Sequence, residues 1–131
     1  MPAVRIVCIE DDPQIIELVR TILGRKGYQV IGAAGGQEGL TLVQVQRPDL
    51  ILLDLMMPDL DGWEVYRRLK EDPLLAPVPV MVVTARAQDI DRVLGLHVAH
   101  VDDYLTKPFT PKQLTDSVER ILARRHAASS G

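Results

Sequence analysis

The sequence predicts a single-domain α/β protein in which a parallel sheet is covered by helices on both faces. Three observations carry that expectation. Short apolar runs alternate with amphipathic stretches roughly every 20–25 residues, the spacing of strand–helix units rather than of hairpins. The runs are mostly apolar, and Leu50 to Leu53 is wholly so, as in strands buried on both faces. A chain of 131 residues is the size of one ordinary domain and buries enough surface for a proper core.

Val4 to Ile9 is the first expected strand. Asp12 and Pro13 then read as the N-cap and first residue of a helix. Its Ile15, Leu18, Val19 and Ile22 fall on one face, and Gly27 reads as its stop. Tyr28 to Ala33 is the second strand. Gln37 to Gln46 is a weaker helix with Leu40 and Val43 facing in, where Gly39 costs about 1 kcal/mol relative to alanine. Leu50 to Leu53 is the third and central strand. Met57-Pro58-Asp59-Leu60-Asp61-Gly62 is a loop by its turn chemistry. Trp63 to Lys70 forms a third helix on Val65, Tyr66 and Leu69. Val78 to Val83 is the fourth strand, with Pro79 at its entry. Ile90, Val93, Leu94 and His97 mark a fourth helix, and Asp103 to Thr106 a short fifth strand. Thr110-Pro111-Lys112-Gln113 opens the last helix with a capping box and Pro at N1. Leu114, Val118, Ile121 and Leu122 carry its apolar face. The domain is expected over residues 1–125, with 126–131 a flexible tail or the start of a linker. Right-handed crossovers leave few topologies, of which the flavodoxin-like strand order 2-1-3-4-5 is favoured.

Composition narrows the function. With 47% hydrophobic and 25% charged residues the chain is not disordered. A net charge of −3 argues against direct nucleic-acid binding by this chain, which needs clustered Lys and Arg. The single cysteine, Cys8, makes no internal disulfide and sits in the first strand as a buried thiol. Glu10, Asp11 and Asp12 interrupt the N-terminus before a leader could form, and no apolar stretch reaches the ~20 residues of a membrane helix. A soluble, cytoplasmic domain without membrane contact is expected.

Ligands of doubly wound sheets bind beyond the carboxyl ends of the strands. Glu10, Asp11 and Asp12 follow the first strand, Asp54 the third, Thr84 the fourth and Lys107 the fifth. The second strand ends in Gly32-Ala33-Ala34-Gly35-Gly36 and delivers nothing polar. In the order 2-1-3-4-5 the four delivering strands are neighbours, so one localised site is expected. Crowded carboxylates need a cation to stay ionised, and two or three of them with a carbonyl and waters make a Mg²⁺ site. A lysine and a hydroxyl across from them suit phosphoryl oxygens, and a carboxylate can itself be the nucleophile.

At these residues the chain resembles the receiver domain of two-component response regulators. The matching segments are Ile6 to Pro13, Pro48 to Pro58, Asp61-Gly62, Val82 to Ala85 and Asp102 to Phe109, and the likeness spans roughly Arg5 to Arg125. The resemblance implies that Asp54 is the phosphoacceptor, taking a phosphoryl group from a histidine kinase, a phosphotransfer protein or a small phosphodonor. It implies that Asp11 and Asp54 ligate Mg²⁺ (or Mn²⁺ in its place), with the Met56 backbone carbonyl, and that Glu10 supports the metal through water. Lys107 would pair with the phosphoryl oxygens, its bond to Pro108 resembling the family's cis peptide. Thr84 would bind the phosphoryl group, and Tyr104 would turn inward as the aromatic switch. The output face would be the fourth helix, fifth strand and fifth helix. Such a domain is no enzyme with a separate substrate; it catalyses its own phosphotransfer and slow autodephosphorylation.

Departures and alternatives complete the expectation. His100-Val101 stands where the family has Gly-Ala. Gln113 and Ser117 replace the Glu and Arg that form dimer salt bridges in relatives fused to winged-helix domains, which disfavours a homodimer through that face. His97, His100 and His126 lack metal-ligand spacing. A haloacid-dehalogenase-type phosphatase would need an Asp where Met56 stands, and no Gly-rich phosphate loop follows the first strand. The remaining alternative is a degenerate receiver acting as a phosphorylation-independent docking module.

Overall fold

The computed structural model describes residues 3–85 and 101–130, with side chains up to Arg125. The elements run β1 (Arg5–Ile9), α1 (Pro13–Gly24), β2 (Gln29–Ala33), α2 (Gly36–Gln46), β3 (Leu50–Asp54), α3 (Gly62–Glu71), β4 (Val80–Thr84), β5 (Asp103–Thr106) and a C-terminal helix (Pro111–Ser130). The expected fourth helix and His97 and His100 lie outside the described residues. The five strands form one sheet in the order β2-β1-β3-β4-β5, all pairs parallel. The predicted class and strand order are those observed.

Side-chain alternation divides the core in two. Ile6 and Cys8 of β1 and Leu50 and Leu52 of β3 pack with Ile16, Val19 and Leu23 of α1 and Leu114, Val118 and Ile121 of the C-terminal helix. Val7, Ile9, Ile51 and Leu53 point the other way, onto Leu40 and Val43 of α2 and Val65, Tyr66 and Leu69 of α3. Every residue of β3 and β4 is buried, as strands covered on both faces must be. Gly39 is explained by this packing: a Cβ there would lie 2.7 Å from the Ile9 side chain, so its absence lets α2 approach β1.

The caps form as the residue types dictate. Asp12 Oδ1 accepts the Gln14 amide at 2.9 Å with Pro13 following. Thr110 Oγ1 accepts the Gln113 amide at 3.1 Å while Gln113 Oε1 accepts the Thr110 amide at 2.8 Å, a complete capping box. Several boundaries differ from the sequence-based expectation, most of them by a single residue. β4 begins at Val80, because Pro79 offers only its carbonyl, which accepts the Ile51 amide at 3.0 Å. β3 extends through Asp54, which pairs in register with Val83. The C-terminal helix continues to Ser130 rather than giving way to a tail at His126, in keeping with the helix-favouring Ala127 and Ala128. Among the described residues no helix is long and apolar enough to cross a membrane.

Candidate phosphoryl-acceptor site

The site is built where β1, β3 and β5 end. The ladder runs one residue past β1, the Glu10 amide donating to the Ala33 carbonyl at 3.0 Å. Strand parity therefore turns Glu10 to the face shared by Ile6 and Cys8, and Asp54 to the face shared by Leu50 and Leu52. These two carboxylates are only 2% and 3% exposed. Asp11, the next residue, is exposed. One carboxylate oxygen each from Glu10, Asp11 and Asp54 lies within 4.8 Å of the others.

Lys107 enters from beyond β5. Its amide donates to the Thr84 carbonyl at 2.8 Å, and its peptide bond to Pro108 is cis. Lys107 Nζ donates to Glu10 Oε2 at 2.6 Å and lies 3.7 Å from Asp54 Oδ2. The other Glu10 oxygen accepts the Asp12 amide at 3.2 Å. Asp54 Oδ1 accepts the Met56 amide at 3.1 Å, so the chain turns sharply after β3. Gly62 packs against that turn: its amide donates to the Leu55 carbonyl at 3.2 Å, and a Cβ there would sit 2.5 Å from Leu55 Cα. Asp61 caps α3 through the Trp63 amide at 2.9 Å.

Electrostatics follow from burial. Desolvation pushes the Glu10 carboxyl up to about 7; the Lys107 hydrogen bond pulls it back and the Asp54 charge pushes it further. Asp54 is also raised by burial, against the Met56 hydrogen bond and the Lys107 charge. Burial works to lower Lys107, but its hydrogen bond to Glu10 and the charges of Asp54 and Glu10 outweigh that and leave it raised. Among the described residues, three carboxylates thus face one ammonium group. All the donors are hard oxygens, one of them solvent-exposed, which fits a partly hydrated divalent cation such as Mg²⁺.

Thr84, at the end of β4, and Tyr104, within β5, lie on the opposite sheet face. Thr84 is fully buried and pairs in register with Thr106, while Val82 pairs with Tyr104. Thr84 and Tyr104 therefore share one face, and Tyr104 is 48% exposed. Met56 is exposed beside Asp54. Cys8 is buried, and desolvation raises its thiol to about 12, so it is inert. The sequence-based expectation missed Asp59, whose carboxylate reaches the start of α2, accepting the Gly36 amide at 3.1 Å and the Gln37 amide at 3.2 Å. Contacts across more than twenty residues leave no local sequence signal.

The parallel sheet thus carries an acid cluster and a lysine together at the carboxyl edge of its neighbouring strands. The chain belongs to the response regulator receiver domain family, whose model matches residues 6–119. It is 40% identical over 125 residues to the alkaline phosphatase synthesis transcriptional regulatory protein PhoP of Bacillus subtilis, covering 95% of this chain and 51% of that protein. The chain thus spans about half the length of the curated relatives it matches. It superposes with a TM-score of 0.87 on a response regulator receiver domain protein from Methanospirillum hungatei, at 28% identity, covering 97% of this chain and 99% of the other. The receiver domain of a signal transduction histidine kinase from Syntrophus aciditrophicus is 36% identical, with a TM-score of 0.82 over 92% of this chain and 91% of its own. Receiver domains bind Mg²⁺ through acidic residues, and Glu10, Asp11 and Asp54 form such a cluster here.

Proposed function

We propose that Asp54 accepts a phosphoryl group from a histidine kinase, a phosphotransfer protein or a small acyl phosphate in a Mg²⁺-dependent reaction. The convergence of Glu10, Asp11, Asp54 and Lys107 at one sheet edge carries this reading. An Asp54 oxygen attacks phosphorus, the O–P bond forms as the donor's P–N or P–O bond breaks, and the leaving group keeps the electron pair. Bound Mg²⁺ would supply positive charge toward the carboxylates and the phosphoryl oxygens. Asp11, Asp54 and the Met56 carbonyl would hold it, and Glu10 would act through water. Lys107, 3.7 Å from Asp54, would pair with the phosphoryl group. The domain is not an enzyme with a separate substrate; it catalyses its own modification and slow loss of the phosphoryl group.

Thr84 and Tyr104 are the switch in this reading. Their shared sheet face means that drawing Thr84 toward a phosphoryl group frees space on the side where Tyr104 now lies exposed. The face of β5 and the C-terminal helix would then signal to a partner. Ser117 is buried and donates to Asp103 at 2.6 Å, so it offers no charge for a dimer salt bridge on that face.

Incubating the chain with acetyl phosphate and Mg²⁺ and measuring its intact mass tests the reading. One phosphoryl adduct is expected on the native chain and none on Asp54→Asn. An unmodified native chain, or an equal adduct on the variant, would favour a docking module instead.

A further inference from the structure

The loop from Asp54 to Gly62 would present the Met56 carbonyl to the metal, and it is pinned at three places. At its start the Met56 amide bonds Asp54 Oδ1. At its end Gly62 presses on the backbone of Asp54 and Leu55. In its middle the Asp59 carboxylate spans two amides, Gly36 and Gln37, at the N-terminus of α2. These amides belong to the unsatisfied first turn of that helix, and Gly35, its N-cap, contributes no side-chain bond. The two hydrogen bonds hold the Asp59 carboxyl below its ordinary range. The neighbouring backbone is shaped for the contact: a Cβ on Gly35 would lie 3.0 Å from Asp59 Oδ2, and one on Gly36 would lie 2.9 Å from Leu60 Cβ.

We infer that Asp59 is a positioning residue for the metal site, fixing the loop against α2 so that Met56 and Asp54 hold their places. This rests on the phosphoacceptor reading of the site. Asp59 is exposed and touches none of the groups assigned to the metal, so its effect runs through the loop backbone. A carboxylate across two helix amides is a charge-assisted contact, stronger than a neutral one and favoured by the helix dipole. Supporting residues of this kind typically change metal affinity when removed.

Titrating MgCl₂ into ¹⁵N-labelled native chain, Asp59→Ala and Asp59→Asn, with amide shifts read by NMR, tests this. The same spectra report whether each variant is folded. The native chain is expected to show saturable shifts around Asp11 and Met56. Asp59→Ala is expected to be folded with its Mg²⁺ Kd raised about tenfold. Asp59→Asn, which keeps one acceptor oxygen, is expected to fall between the two. A residue that only stabilises the fold would lower the melting temperature and leave the Kd of folded protein alone. An unchanged Kd in folded Asp59→Ala would overturn the inference while leaving the metal site intact. If Asp59→Ala does not fold, an unchanged Kd in Asp59→Asn would overturn it equally. Absence of Mg²⁺-dependent shifts in the native chain would overturn both the inference and the reading beneath it.

Discussion

Glu10 shows at the scale of one residue what a buried, crowded carboxylate does. Burial beside Asp54 raises its pKa from 4.5 to about 7, so the folded state holds that proton more tightly than the unfolded chain. Its contribution to stability is full below pH 4.5 and is lost as pH rises through about 7. Metal-free protein is therefore expected to melt a few degrees higher near pH 5 than near pH 8, as followed by circular dichroism. Glu10→Gln should flatten that slope. Saturating Mg²⁺, which favours the ionised cluster, should raise the melting point most at the alkaline end. Identical profiles for the native chain and Glu10→Gln would contradict this. The residue types of the site were legible in the sequence, because each falls at or just beyond the end of a strand. The pairing was not: Lys107 lies closer to Glu10, at 2.6 Å, than to Asp54, at 3.7 Å, and only packing decides that.

At the scale of elements, local chemistry settles the starts of α1 and the C-terminal helix, and distant packing settles Gly39 and Gly62. Asp12 and the Thr110–Gln113 box could be read directly because a cap is a contact between near neighbours. Gly39 looked like a weak point in α2 and is a close approach to Ile9. Arg47, which ends α2 in the left-handed region at φ 46°, carries no sequence signal, since glycine or asparagine is the usual occupant. Gly62 makes the sharpest case. A methyl group there meets backbone at 2.5 and 2.6 Å, which cannot rotate away as a side chain would. Gly62→Ala is expected to cost about 1–3 kcal/mol, a melting-point loss of roughly 4–12 °C, and to slow modification of Asp54 by shifting the turn that carries Met56. A variant with native melting temperature would show that the α3 start yields at no cost.

The whole molecule places its chemistry by topology. The strands β1, β3, β4 and β5 are neighbours, and they bring Glu10, Asp11, Asp54, Thr84 and Lys107 to one edge although 97 residues separate Glu10 from Lys107. That convergence was legible because parallel strands all end on the same side and the crossover rule limits their order. The division of the edge into two faces, with Thr84 and Tyr104 behind the acid cluster, emerged only from the strand register. Phosphorylation would add about −2 of charge to the cluster, and a domain packed this tightly answers by rearranging discrete contacts rather than deforming smoothly. The most direct test is a crystal structure grown with Mg²⁺ and beryllofluoride. The expected result is beryllofluoride bonded to an Asp54 oxygen, Mg²⁺ held by Asp11, Asp54 and the Met56 carbonyl, and Lys107 moved from Glu10 onto the fluorine atoms. An Asp54 left bare in such a crystal, or turned away from Asp11 and Lys107, would contradict the phosphoacceptor assignment.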